Sequence, residues 1–526
     1  GLASAGREGK AAAVEKSGPW QTAAALRDVT AWAAKSFHPD SNDVLEMRKA
    51  VTRPEFADLR MVQPLFKKLT LPDSGEGEDV LADGALAAFG ASLLPDLRDG
   101  LDLKGGVADA RRLRALSALV PKEGIVLCRQ AIAEGSATMK PQAIRLLTRL
   151  APAEAERAAL EAVASKGRWE LREAAFRALA TSRDDRALDA LLTALVDGDD
   201  PFGIVEDVLG RLPHPRATER LVEGMAQLRA AHAEASAAAR AKKAAPRGKG
   251  KAPPSADEIG VRIGGVAGVL GKRKDAAAVP ALVGLLDHKN VGVRECALGA
   301  LADLGDLQGL RTAADRMSDA KVWESAARAA WRLPEPERYQ RLAPWVEQLS
   351  RPKKSEHRRG KFVLDLFEEE FEDPDRDYDD PYDYWNPNAA GARAPRADWD
   401  PRWGPLLRKH LDGPYRPDAA LGLAAVVGEK AVPELLPLLV PSVKKNECGV
   451  AEALGRLRAR EAMPAMVELM PGQPDHHYCI HDALRRIDDP AVVPLLEALS
   501  HKTKDAYRRA RITEVIEYLE RPRAEA

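Results

Sequence analysis

The chain has 526 residues, and its 79 lysines and arginines nearly cancel its 80 aspartates and glutamates, leaving a formal net charge of −1. That balance excludes recognition of nucleic acid or acidic substrates by bulk charge, so any electrostatic function has to come from local patches. Aromatics are only 5% of residues, period-two alternation is absent, and no apolar run reaches the roughly eighteen residues of a membrane span, so the expectation is helices with essentially no sheet.

Residues 1–18 are small and polar. Ala3-Ser4-Ala5 before Gly6 fits the small-residue rule of a signal-cleavage site, and a plain Ala/Gly/Ser-rich start fits equally. The chain is expected to be soluble, and the cytoplasm and export after signal removal both stay open. Trp20 to Phe37 has the apolar spacing of a helix that ends before Pro39, which makes 1–41 a loose start with a capping helix.

From Asn42 a repeat sets in. Positions equivalent to Pro280 fall at Pro64, Pro95, Val126, Ala158, Asp189 and Glu219, with spacings of 31, 31, 32, 31 and 30. The register resumes at Pro280, Arg311 and Pro344, and again at Pro405, Pro433, Pro464 and Pro494. Two gaps of 61 residues separate these runs, and their composition marks them as insertions. Repeats are therefore expected over 42–230, 257–371 and 401–526, the last closing with a charged capping helix from Tyr507 to Leu519.

Asp275 to Gly305 is the clearest unit. It reads as a first helix from Ala277 to Leu286, a turn from Asp287 to Val291, and a second helix from Gly292 to Leu304. Proline opens the first helix, where its missing N–H costs nothing, and Leu282, Leu285 and Leu286 form its apolar stripe. The second helix carries Val293, Arg294, Ala297, Ala300 and Leu301. That pattern returns as Leu171, Arg172, Ala175, Ala178 and Leu179, and as Met139, Lys140, Ala143, Leu146 and Leu147. Alanine lets neighbouring helices approach and leucine fills the space between them. The four cysteines, Cys128, Cys296, Cys448 and Cys479, lie far apart within such helices and read as buried thiols, not as a disulfide or zinc framework.

One hairpin cannot bury both of its stripes, so units must stack. Period, proline position and the basic residue of the second helix together resemble the HEAT-repeat family, in particular the short bacterial HEAT-like units also found in phycobilisome lyases. The resemblance covers roughly residues 42–520. It implies an all-α fold, a right-handed α-solenoid of about thirteen two-helix repeats, whose concave surface is usually presented to a partner.

Several constellations are candidates for chemistry. His477 and His481 stand four apart on one helix, a spacing that suits two zinc ligands, but they align with ordinary second-helix positions. The insertion at 372–400 packs Asp373, Asp375, Asp377, Asp379, Asp380 and Asp383 together. Alternating carboxylates of this kind can ligate calcium, although Tyr378 and Tyr384 replace the glycine and glutamate of an EF-hand loop. Its aromatics Tyr378, Tyr382, Tyr384 and Trp385 read either as partner anchors or as a seal that folds back on the solenoid.

The insertion at 231–256 carries Arg240, Lys242, Lys243, Arg247, Lys249 and Lys251 with no acid among them, a composition expected to be disordered. It has no aromatics on which bases could stack. No His-Glu dipeptide of the kind that builds the iron site of deoxyhypusine hydroxylases occurs, nor a G-x-S-x-G elbow or a P-loop. Gly260 to Gly271 has a spacing suited to close helix packing.

Three functional readings follow. The first is a non-catalytic scaffold without a resident cofactor that binds a protein or peptide on its concave face, using exposed second-helix residues such as Arg172 and Arg294 and the aromatic insertion. The second is a nucleic-acid-binding protein of the HEAT-like glycosylase kind, with a cationic groove made by Arg112, Lys140, Arg172 and Arg294. The third, carried by the repeat resemblance alone, is a bilin-lyase-like enzyme.

Overall fold

The structure is a computed structural model that describes residues 94–200, 202–240, 254–351, 357–369, 398–440, 447–470 and 476–520. The expected capping helix at Trp20 to Phe37, the Pro64 unit and the greater part of both insertions lie outside these residues. Among the described residues every regular element is a helix and none is a strand. The chain is an α-solenoid of stacked two-helix units.

Two compact units divide it, Gly1–Ala281 and Leu282–Ala526. In the first, helices come in consecutive pairs: α1 (Leu94–Asp99) with α2 (Val107–Leu119), and α3 (Pro121–Glu134) with α4 (Met139–Leu150). Next come α5 (Pro152–Ala164) with α6 (Trp169–Ala178), α7 (Asp185–Asp197) with α8 (Ile204–Arg211), and α9 (Ala217–Arg240) with α10 (Ala256–Arg273). The division falls within α11 (Val279–Val283), which is followed by α12 (Val291–Leu304).

The second unit continues with α13 (Leu307–Ala314) and α14 (Trp323–Trp331), then α15 (Glu337–Glu347) and α16 (His357–Glu369). After these come α17 (Trp403–Arg408) with α18 (Arg416–Val427), and α19 (Val432–Leu435) with α20 (Glu447–Arg456). The last pairs are α21 (Met463–Leu469) with α22 (His476–Ile487), and α23 (Val493–Lys502) with α24 (Ala506–Glu520). Within each compact unit the second helix of one pair packs on the second helix of the next.

Local sequence explains the element starts. Pro280, Pro433, Pro464 and Pro494 are each the second residue of a helix, α11, α19, α21 and α23, entered through a short 3₁₀ turn. Proline suits that place because its φ is already helical and it has no N–H to leave unpaired. Elsewhere the expected register shifts. Helices α3 and α5 begin on Pro121 and Pro152, which leaves Val126 and Ala158 inside the helices, and Pro344 lies inside α15. The expected basic insertion also starts late, because α9 stays helical to Arg240. Its alanine-rich end sustains a helix despite its polarity.

The stripes are buried as the repeat requires. Val293, Ala297, Ala300 and Leu301 of α12 are all in the core, as are Met139, Ala143, Leu146 and Leu147 of α4. Contacts between successive second helices become tightest at α20 and α22, where a Cβ on Gly455 would stand 2.7 Å from the Cα of Ala483. Only a residue without a side chain fits there.

That closeness overturns the expectation of four unlinked thiols. Cys448 of α20 and Cys479 of α22 form a disulfide, with their Cα atoms 5.4 Å apart. They are 31 residues apart, one repeat, so periodicity itself places them at the same level of two adjacent helices. Cys128 is fully buried and its desolvated thiol is pushed up to about 11, while Cys296 is exposed.

Charge also follows the repeat. Arg98 meets Glu123 at 2.6 Å, Arg129 meets Glu154 at 2.6 Å, and Arg408 meets Glu434 at 2.6 Å. In each case an arginine on one first helix reaches an acid on the next first helix, and Arg311 pairs with Glu337 in the same way. Near-neutral composition is thus partly consumed in stitching neighbours together.

The few aromatics concentrate between α14 and α18. Trp331, Phe367, Trp399 and Trp403 pack with ring centroids 4.7–6.4 Å apart. Buried Arg338 lies 5.0 Å over Trp399 and donates to the Leu333 carbonyl, and Trp403 Nε1 donates to Glu335 at 2.9 Å. In sequence, Phe367 and Trp399 stand on either side of residues 370–397, which lie outside the described residues.

Two outcomes check this packing. Gly455→Ala should destabilise the protein by about 1–3 kcal/mol, as overpacking does, and a thermal midpoint equal to that of the unsubstituted chain would contradict the close approach. Proteolysis without reductant should yield one cross-linked peptide containing Cys448 and Cys479 by mass spectrometry. Reduction should cost roughly 4 kcal/mol of stability, as expected for a loop of this length.

Candidate functional site

The second helices of the C-terminal unit bury one side and leave the other partly open. In α16, Val363, Leu364, Leu366 and Phe367 are core, whereas Arg358, Lys361 and Glu368 are exposed. Across α16, α18, α20, α22 and α24 the outer positions carry charges that interlock. Lys361 Nζ lies 2.6 Å from Asp365 and 3.5 Å from Asp418 on the next second helix. Glu452 takes Arg456 at 2.6 Å and, one helix on, Arg486 at 3.6 Å. Glu514 takes Arg511 at 2.6 Å and Arg485 of α22 at 3.9 Å.

This charged seam is only partly solvated. Burial pushes the Asp418 carboxyl up, against the pull of Lys361, and burial likewise raises Asp482 against Arg486 and Arg485. Glu368 is raised too, first by desolvation and then by the like charges of Glu452, Asp418 and Asp365, which outweigh Arg456. Among the described residues Glu368 has no ion-pair partner. Glu368 and Asp418 stand on neighbouring second helices, α16 and α18, while Asp482 stands on α22 with α20 between, and the ionised form of each is under-compensated.

The residues singled out from sequence fare differently. Arg172 is only 11% exposed; it sits 2.6 Å from the Asp199 carboxylate, donates to the Asp199 carbonyl and stacks over Trp169. Arg294 is 13% exposed, lies 3.4 Å from Asp319 and donates to the His288 carbonyl. Each reaches from a second helix to the turn of the following pair, so they bridge repeats and are not open to a partner. Their partners are supplied by the chain itself.

His481 is buried, at 4% exposure. The side chain of His477, together with Asp373, Asp375, Asp377, Tyr378, Tyr382, Tyr384 and Trp385, lies outside the described residues. Among the described residues no three His, Cys, Asp or Glu side chains converge as a metal site would require.

Asp418, Glu452 and Asp482 were not legible as a group. They are 34 and 30 residues apart, so they fall at different repeat positions. They meet because each helix turns its own outer side to the same seam. The available signal was an acid at an outward position of several successive second helices, and it requires burial of each helix to be known.

No family model and no curated protein matches the chain. Among solved structures it is similar to human deoxyhypusine hydroxylase in complex with glycerol, at 19% identity over 64% of this chain and 96% of that one, with a TM-score of 0.22. It is also similar to a structure of Kap95p with RanGDP, at 11% identity over 95% and 88% of the two chains, TM-score 0.30. A third is Uso1, at 10% identity over 96% and 100%, TM-score 0.29. At these identities and TM-scores the likeness carries no activity with it.

A pH series tests the seam. The raised carboxyl of Asp482 means that its ionised form disfavours folding, a penalty present above its folded pKa and relieved as pH falls through that value. Asp482→Asn should therefore be more stable than the unsubstituted protein at neutral pH, and the difference should close as pH approaches the unfolded carboxylate range. Equal pH profiles from chemical denaturation would show that Asp482 is solvated after all.

Proposed function

We propose that the chain is a non-catalytic repeat scaffold that binds a protein or peptide partner along the charged seam of its C-terminal second helices. The observation that carries this reading is the row of charges that runs from helix to helix, Lys361 to Asp418 at 3.5 Å and Glu452 to Arg486 at 3.6 Å, with the half-buried carboxyls Asp418 and Asp482 raised by burial and Glu368 exposed beside them. Charges half-withdrawn from water cost stability unless an interaction repays them, and a basic side chain of a partner supplies that interaction. Packed hairpins hold the seam rigid, so little ordering is needed on the scaffold side.

Nucleic acid is the less favoured ligand. Arg112, Arg172 and Arg294, three of the four residues that would line a cationic groove, are each tied to acids or carbonyls of the chain. The Cys448–Cys479 bond supports placing the protein in an oxidising compartment, where such bonds persist. The described residues include no helix long and apolar enough to cross a membrane.

An arrayed library of short peptides, probed with the full-length protein, tests the reading. Binders should be enriched in lysine and arginine at a defined position, and the double variant Glu368→Gln with Asp418→Asn should bind them about tenfold more weakly, which corresponds to about 1.4 kcal/mol. Binders without basic enrichment, or unchanged binding by the folded double variant, would sink it.

A further inference from the structure

The disulfide between α20 and α22 stands on the seam and not in the core. Among the described side chains of α20 only Cys448, Glu452 and Arg456 escape full burial, and among those of α22 only Cys479, Asp482, Arg485 and Arg486. Recurring every turn, these positions form one outward strip on each helix. The two sulfurs therefore share a face with Glu452 and Arg486, which meet across the same helix pair at 3.6 Å.

Two fasteners hold this helix pair. Toward the C-terminal end of α20, Gly455 packs on the backbone of Ala483, a buried contact that no solute reaches. At the N-terminal end the bond joins Cys448, the second residue of α20, to Cys479, the fourth of α22. From Cys448 to Gly455 the helix rises about 10 Å, and Glu452 lies between the two.

Cys448 and Cys479 are half-buried, unlike the fully buried Cys128, so a thiolate from solution can reach their bond. Attack by one thiolate of a dithiol on either sulfur forms a mixed disulfide, breaks the Cys448–Cys479 bond and expels the other cysteine as a thiolate. The second thiolate of the dithiol then attacks the first, releases the remaining cysteine thiolate and leaves as a disulfide. Two electrons pass from the dithiol to the protein, and the two protons the dithiol loses end on Cys448 and Cys479. Both leaving sulfurs lie in the first turn of a helix, where the dipole favours a thiolate.

We infer that the Cys448–Cys479 bond is a thiol–disulfide exchange site for a dithiol, and that it clamps the N-terminal ends of α20 and α22 beneath a bound peptide. This rests on the peptide-binding reading above and supplies its regulation. With the bond closed, Glu452 and Arg486 are held in register across the helix pair. With it open, only the Gly455 end stays fastened, and a basic peptide has to order the strip as it binds, which lowers its affinity. A switch is favoured over a plain staple because the bond lies on the exposed strip, where reductants reach it, while a buried contact already joins the same two helices.

Fluorescence anisotropy with the full-length protein decides this. The probe is a labelled Gly/Ser nonapeptide carrying two lysines, titrated with the oxidised protein, the protein treated with dithiothreitol, and the double variant Cys448→Ser with Cys479→Ser. Alkylation of a treated aliquot without denaturant, read by mass spectrometry, should find both cysteines freed while far-UV circular dichroism keeps its helical signal. The reduced protein and the double variant should bind about tenfold more weakly than the oxidised protein. Re-oxidation should restore binding to the former alone.

Equal binding by the oxidised and reduced forms, or by the oxidised form and the double variant, overturns the clamp and leaves the seam standing. A bond that yields to the dithiol only in denaturant does the same. Loss of the helical signal together with binding on reduction marks a structural staple and also overturns the clamp. No binding by the oxidised protein overturns the seam reading and, with it, the clamp.

Discussion

Everything in this chain depends on a hairpin that cannot cover itself. Each unit has two apolar stripes, and folding the hairpin hides only part of them, so the remainder must be buried by the next unit. The packing of one second helix on another, α18 on α20 and α20 on α22, is where that constraint is felt most strongly. It selects alanine and glycine at the contact, as with Gly455 against Ala483, and it brings Cys448 and Cys479 within bonding reach. The disulfide is a by-product of the same close approach, available wherever two cysteines stand one period apart.

Electrostatics in a stacked array is organised by the same period. A basic residue on one unit meets an acidic residue on the next, either between first helices, as Arg129 with Glu154, or from a second helix to a turn, as Arg172 with Asp199. Exposed pairs of the first kind add little stability singly, but they use up charge and keep the surface neutral. Departures from this bookkeeping are then informative. Among the described residues Arg359 and Glu368, at opposite ends of α16, have no ion-pair partner.

The aromatic residues mark the same neighbourhood. Outside α14 to α18 the chain is built mostly from alanine, leucine and valine, whose uniform size suits a regular stack. Around α16 large rings take over the filling: Trp331, Phe367, Trp399 and Trp403 pack against one another, and Trp323 packs on Trp345 and on Phe362 of α16.

Sequence alone determined the architecture, because periodicity is a one-dimensional property. The recurrence of a proline, an apolar stripe and a Val-Arg-x-x-Ala pattern every thirty-odd residues dictates hairpins and their stacking without any knowledge of coordinates. It did not reveal the helical extension of α9 to Arg240, where alanine content prevailed over polarity.

Only the tertiary structure decided which residues of each helix face outward and which are spent on a neighbour. Arg172 and Arg294 read in sequence either as contacts for a partner or as bridges to acidic turn residues, and they are engaged with Asp199 and Asp319. Asp418, Glu452 and Asp482 look unrelated and lie along one seam. The physical reason is that exposure and ion pairing arise between units, from distances that a repeat period constrains in register but not in rotation about each helix axis.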